Sequence, residues 1–315
     1  MNTTFDPVTL IQTQRAITGM SAVFLPFNED NSIDWTGFNS HLERTIAGGL
    51  IPAVNMDTGS IQHIAAADRL KVLELTENTC DNFVAGACVI DNQGDALNLP
   101  AYHKAINEII HKGGTPVVFP CWGLNTLNSD QWISAIKQIT VDAAGFIAFE
   151  LGPQFVPYGR ILDLDTWSKL LDLPNCIGAK HSSLDRVPEW ERLVLRNKKR
   201  PDFKVLTGND LAIDMVIYGS DYLLGLSSFA PELFAKRDKL WLHGDPEFYG
   251  LNDLLQYLGQ FVFRDPVPSY KHSAAQFLHI CGTLSGCQPP PGVVPRADSD
   301  LPILQNLADR LGLLK

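Results

Sequence analysis

The sequence predicts a parallel (β/α)8 barrel, a TIM barrel, followed by a C-terminal helical appendage. Three observations carry this expectation: eight short apolar and β-branched runs recur along the chain, amphipathic segments of helical period separate them, and the alternation fits within about 230 residues. Runs that are apolar almost throughout, rather than alternating, suit strands buried on both faces, and crossover helices make such strands parallel. A doubly wound sheet with extra strands is the competing architecture.

The runs, in order, are GMSAVFLPF (19–27), LIPAVNM (50–56), FVAGACVI (83–90), TPVVFPCW (115–122), GFIAFEL (145–151), CIGAK (176–180), FKVLTG (203–208) and DYLLGLS (221–227). Between them stand helix-like segments such as DWTGFNSHLERTIAGG (34–49), AAADRLKVLELTENT (65–79), YHKAINEIIHKGG (102–114) and SDQWISAIKQITVDAA (129–144). Several open on Asp, Ser or Asn and close on Gly, the residues that satisfy free N–H groups at one end and permit a left-handed turn at the other. After the eighth unit come PELFAKRDKLWLHG, DPEFYGLNDLLQYLGQFVF, SYKHSAAQFLHICGTLSG and, past the loop CQPPPGVVPRADSD, LPILQNLADRLGLL, which is more helix than one barrel unit needs. The expected division is therefore a barrel over 1–235 and a helical extension over 236–315, with Pro289, Pro290, Pro291 and Pro295 stiffening the linker inside the extension.

Composition bounds the function. The chain has 315 residues, 45% hydrophobic and 19% charged, enough to bury a large core and too apolar for disorder. A net charge of −10 argues against binding a phosphate backbone, since the one basic run, Arg196, Lys198, Lys199 and Arg200, suits a solvated helix end. No nucleic-acid partner is expected. The six cysteines form no CxxC pair and no zinc-like spacing, which fits a reducing compartment. The opening MNTTFDPVTLIQTQ lacks a basic segment followed by an apolar core, and no window approaches ~18 uninterrupted apolar residues. The expectation is a cytoplasmic protein that neither crosses nor binds a membrane.

In a barrel of this kind the chemistry sits at the C-terminal ends of the strands. The residues there are Asn55, Asp57, Thr58 and Gly59 after strand 2, then Cys121, Trp122 and Gly123 after strand 4, and Phe149 and Glu150 in strand 5. Lys180 and His181 follow strand 6, Gly208, Asn209 and Asp210 strand 7, and Gly225 to Ser228 strand 8. Lys180 is the one lysine at such a position. A lysine closing a buried strand either reaches water along its stem or sits in a pocket that lowers its pKa and makes it a nucleophile.

These motifs resemble the dihydrodipicolinate synthase and N-acetylneuraminate lyase superfamily of class I, pyruvate-type aldolases, over almost the whole chain. NMDTGS stands at the family's GTTGE loop, IGAKHSS at its lysine strand, VLTGND at its "sGdD" strand and YGSDYLLGLSSFAPELF at its eighth-strand segment, while KHSAAQFLHICGTLSGCQPPPGVVP looks like its C-terminal region. The resemblance implies that Lys180 forms a Schiff base with the ketone of a small, pyruvate-like 2-keto acid. It also implies that Asp57, Thr58 and Gly59 hold the carboxylate, and that the Leu224–Gly225 backbone lies near the imine. The imine is itself the electron sink, so neither cofactor nor metal is expected. By the same resemblance the chain forms a homo-oligomer, a tetramer or dimer, with Trp122 near an interface.

The departures set the remaining questions. The family's strand-5 tyrosine, which shuttles protons, is Phe149 here, and its neighbouring Asn is Glu150; phenylalanine cannot relay a proton. The first Thr of GTTGE is Asp57, its Glu is Ser60, and the second aromatic of the strand-4 motif is Trp122. Asp57, Glu150, His181 and Tyr158 are the candidate substitutes for the tyrosine, and Arg160 is the nearest arginine after strand 5. Because neighbours in a strand point to opposite sides, His181 faces the helices if Lys180 faces the barrel, unless the strand has already ended. Phe149 and Glu150 pose the same alternative. Beside the Schiff-base lyase stand two other readings: a catalytically quiet member that binds a keto or sugar acid, and a metal-dependent barrel enzyme using Asp57, Glu150, His181 and Asp210.

Overall fold

The structure, a computed structural model, describes residues 6–314, so the outermost bounds of the two expected segments, residues 1 and 315, lie outside the described residues. The strands are β1 (Gly19–Ala22), β2 (Ile51–Val54), β3 (Val84–Ala87), β4 (Thr115–Val118), β5 (Phe146–Leu151), β6 (Cys176–Ser182), β7 (Lys204–Thr207) and β8 (Asp221–Leu224). Each pairs in parallel with the next and β8 returns to β1, closing the barrel. The doubly wound alternative, which leaves an open sheet, is excluded.

The helices are α1 (Trp35–Ala47), α2 (Ala66–Glu77), α3 (Leu99–His111), α4 (Trp122–Asn125), α5 (Ser129–Ile139), α6 (Leu164–Leu170), α7 (Arg186–Lys199), α8 (Pro231–His243), α9 (Glu247–Val262), α10 (Tyr270–Ile280) and α11 (Leu301–Arg310). The starts of α1, α3, α5, α6 and α7 carry side-chain caps. Asp34 accepts from the Gly37 N–H at 2.8 Å, and Asn128 and Gln131 form a reciprocal capping box at α5. The crossover from β7 to β8 is a 3-10 helix, Ile213–Tyr218, that ends on Gly219 with φ of 105°, a left-handed turn.

The alternation of side chains separates two apolar layers. Met20, Ala22, Ala53, Val84, Val117, Ile147, Phe149, Leu206 and Leu223 fill the barrel interior. Residues one place along, such as Val54, Ala85, Ala148, Ala179 and Val205, pack outward beneath the helices. The boundary expected at 236 falls inside α8. Helices α9 to α11 lie beyond it, and they share one apolar cluster with Tyr222 and Leu224 of β8 and Phe234 of α8. The extension is thus packed onto the barrel, and this places the start of α10 at the C-terminal end of the strands, beside Asp57.

Candidate active site

Strand β6 continues through Ser182, two residues past the expected end, with Lys180 in register between Phe149 of β5 and Leu206 of β7. The period of two therefore decides which way each residue points. Lys180 faces the interior with its Nζ 4.5 Å from the centre of the Phe149 ring, which meets the Phe119 ring edge-on at 5.3 Å. The residue is only 6% exposed. Burial lowers the amine from 10.5 to about 8, against the opposing pull of the nearby Asp210 and Asp57 carboxylates.

Both of those carboxylates are buried, but their surroundings push them apart. Asp210 accepts backbone hydrogen bonds, that from the Leu226 N–H at 2.7 Å among them, and burial raises it to about 7. Asp57 feels the same burial, yet it stays below its ordinary value because Lys271 Nζ donates at 2.9 Å, the Tyr270 hydroxyl at 2.8 Å and Gln62 Nε2 at 2.7 Å. The loop after β2 presents it: Asp57–Gly59 form one 3-10 turn, closed by Ser60 in the left-handed region with φ of 55°. Thr58 Oγ1 lies 3.0 Å from the Tyr270 hydroxyl. A side chain at Gly225 would come within 3.2 Å of Thr58 Oγ1 and 3.4 Å of Tyr270, so glycine lets the end of β8 approach this group.

Sequence reasoning did not select Tyr270 and Lys271, which open α10. Their signal was a Tyr-Lys pair on a segment otherwise rich in small and apolar residues, but only the packing of the C-terminal helices shows where that pair goes. Ser182 was also passed over because β6 was read as ending at Lys180. It lies two places beyond the lysine on the same face, and its Oγ has no hydrogen-bond partner among the described residues. Above the site a cavity of about 360 Å³ opens to solvent, lined by Gln62, His63, Asp91, Tyr158, Pro268 and Lys271, a volume at the lower end for small-molecule sites.

Glu150 and His181, expected as candidate site residues that could stand in for the tyrosine, require a correction. Strands β5 and β6 run straight through them, so they point outward. Glu150 accepts from Arg192 Nε and an Arg192 terminal nitrogen at 2.9 and 2.7 Å, Trp167 Nε1 at 2.7 Å and Leu162 N–H at 2.8 Å, and it hydrogen-bonds His181 Nδ1 at 2.8 Å. This is a satisfied ion cluster between β5, β6 and the helices α6 and α7, and none of it reaches the interior. Arg160 is likewise engaged elsewhere, donating to the carbonyls of Leu127 and Asn125. The side chain of Leu224 packs in the outer cluster, away from Lys180. Trp122 starts α4, anchored by its N–H to Asp91 at 2.9 Å, and its ring lies 5.7 Å from that of Tyr158 at the cavity wall. The four metal-ligand candidates are not brought together, and among the described residues no group of three or more His, Cys, Asp or Glu is arranged to hold a metal ion.

No protein-family profile matches the chain. Curated relatives do. A 4-hydroxy-tetrahydrodipicolinate synthase of Bartonella henselae is 33% identical over 308 residues, covering 94% of this chain and 98% of the relative. The synthases of Bartonella quintana and Methanococcoides burtonii are 28% and 23% identical over similar spans. Among solved structures, a dihydrodipicolinate synthase of Thermotoga maritima superposes with a TM-score of 0.80 at 18% identity, covering 95% of this chain and 100% of that one. A prophage protein of the dihydrodipicolinic acid synthase family from E. coli K12, solved with pyruvate, gives 0.80 at 18% identity, covering 94% and 99%. The closed barrel, the lysine-bearing sixth strand and a full-length relative at 33% identity lead to one conclusion: the chain belongs to the dihydrodipicolinate synthase family, as a divergent member with Phe149 in its fifth strand.

Proposed function

We propose that the protein is a class I lyase or aldolase that binds a small, pyruvate-like 2-keto acid as an imine on Lys180. The observation that carries this reading is the lysine itself: a buried amine on the inner face of β6, lowered to about 8 and lying against Phe149. At neutral pH an ordinary lysine is almost wholly ammonium, whereas this one keeps a useful fraction of the attacking neutral form. Thr58, which lies against the backbone of Gly225, and Gly59 beside it suit a carboxylate, and the unpartnered Ser182 hydroxyl is available to a polar group further along the substrate. The relatives' names support a synthase of this family, and the pyruvate bound to the E. coli protein supports the class of keto acid.

Once the imine has formed, loss of a proton from the adjacent carbon gives an enamine, which adds to or is released from a second reactant. This predicts exchange of the pyruvate methyl protons in deuterated water, followed by proton NMR. Wild type should exchange them and Lys180→Ala should not. A quiet family member would bind pyruvate without exchange, and that outcome would favour the second reading.

A further inference from the structure

Resting on the Schiff-base reading of Lys180, we propose that Tyr270 is the hydroxyl that replaces the missing strand-5 tyrosine, as the middle of a proton relay running from Thr58 through Tyr270 to Asp57. The relay enters from the C-terminal helices rather than from the barrel wall.

Five observations support it. The position facing Lys180 from β5 is Phe149, which has no proton to give. Thr58 Oγ1, the Tyr270 hydroxyl and Asp57 Oδ2 form a continuous chain at 3.0 and 2.8 Å. The other Asp57 oxygen is held by Lys271 and Gln62, so Oδ2 is left to Tyr270 alone among these donors. The ring of Tyr270 is buried and fixed, stacked on Phe263 at 4.3 Å between centres and 15° between planes. Tyr158, the other tyrosine at the mouth, packs on Trp122 instead.

A hydroxyl both donates and accepts, so this chain can run in either direction. At rest Lys271 keeps Asp57 ionised and the chain points toward it. The Lys180 ammonium gives one proton to Thr58, which passes its own to Tyr270, which passes its own to Asp57. The freed nitrogen lone pair attacks the keto carbon, forming the C–N bond, and the C=O π pair moves to oxygen. A second N–H proton then transfers to that oxygen, giving a carbinolamine. The proton on Asp57 returns through Tyr270 and Thr58 to the hydroxyl, the C–O bond breaks, water leaves, and the nitrogen lone pair closes the C=N bond. Of the three ammonium protons two depart in the water and one stays on the iminium.

The test is a rapid-quench series with pyruvate and borohydride on wild type, Tyr270→Phe, Thr58→Val, the double variant and Tyr158→Phe, reading the reduced adduct on the Lys180 peptide against time and pyruvate concentration. Tyr270→Phe keeps the stacked ring. It should still label Lys180 on long incubation, but with a rate constant about 10²-fold lower or more, half-saturation within about threefold of wild type, and a larger solvent deuterium isotope effect. Two links of one relay are not independent, so Thr58→Val should be comparably slow and the double variant no slower than either. Wild-type rates in Tyr270→Phe, multiplied effects in the double variant, or a loss confined to Tyr158→Phe would overturn the relay. A wild type that never labels Lys180 would instead overturn the Schiff-base reading beneath it.

Discussion

The backbone of Gly208 lies directly against the side chain of Lys180: a Cβ placed at Gly208 would sit 2.7 Å from Lys180 Cε and 2.1 Å from Ser182 Oγ. The strand after the lysine strand thus leaves room for the lysine's stem. The Gly208→Ala variant must push that stem and the Ser182 hydroxyl aside, and its Cβ would also crowd the His181 carbonyl oxygen at 3.1 Å. Misplacing a reacting group by about 1 Å can cost ~10²-fold in rate, so imine formation should fall by at least tenfold with only a modest loss of stability. Adduct kinetics and thermal unfolding on the same sample check both halves.

Burying Lys180 costs stability. Its folded pKa of about 8 lies below the ordinary 10.5, so between those values the unfolded chain binds more protons and stability rises with pH. Below about 8 the fold carries the whole penalty, on the order of 3 kcal/mol. Lys180→Met should therefore be more stable than wild type at pH 7 by about 2–3 kcal/mol, and the advantage should shrink toward pH 10.5. Denaturant unfolding at the two pH values measures it. A destabilised Lys180→Met at pH 7 would contradict the placement of the amine.

Glu150 has the opposite balance. Burial raises its pKa, but Arg192 and His181 outweigh this and hold it near about 2 instead of 4.5. Its contribution is fully present above about 4.5 and is lost as pH falls through about 2. Glu150→Gln leaves the buried Arg192 without a counter-charge and should destabilise by about 3–5 kcal/mol. Because the cluster faces the helices, Lys180 should still form its adduct at close to the wild-type rate in whatever fraction is folded.

His41 predicts a second acid sensitivity. It is fully buried, hydrogen-bonded to Ser228 Oγ at 2.8 Å, and burial lowers it from 6.5 to about 3. The unfolded chain takes up a proton that the fold refuses, so stability falls as pH drops from about 6.5 toward 3. In His41→Gln the unfolding free energy should be flatter across that window, as measured by denaturant titration.

The fold was legible because its signal is redundant: eight apolar runs and their capped crossovers all repeat one period, and an error in any single boundary leaves the barrel intact. Residue type alone made the candidate site legible only on the strands; the Asp57–Gly59 loop was legible through its resemblance to the family's GTTGE loop. Lys180 could be singled out because a strand end and a lone amine coincide there. His181 was ambiguous because its orientation depended on whether β6 ended at 180 or ran on to Ser182, and Glu150 because its orientation depended on which way its β5 neighbour Phe149 faces; both belong to a helix-facing ion cluster. Tyr270 and Lys271 were not legible at all. Their distance from Asp57 is more than two hundred residues along the chain but under 3 Å in space, and it is set by the packing of α9 to α11 rather than by any local pattern.

The most direct measurement is peptide mapping after incubation with pyruvate and borohydride, on wild type and Lys180→Ala. Wild type should carry a reduced adduct on Lys180, forming faster as pH rises through about 8, and the variant should carry none. An adduct on Lys271, or none with pyruvate or any other 2-keto acid tried, would contradict the Schiff-base reading of Lys180. The buried amine of β6 would then be a binding or structural residue in a barrel that has lost its family's chemistry.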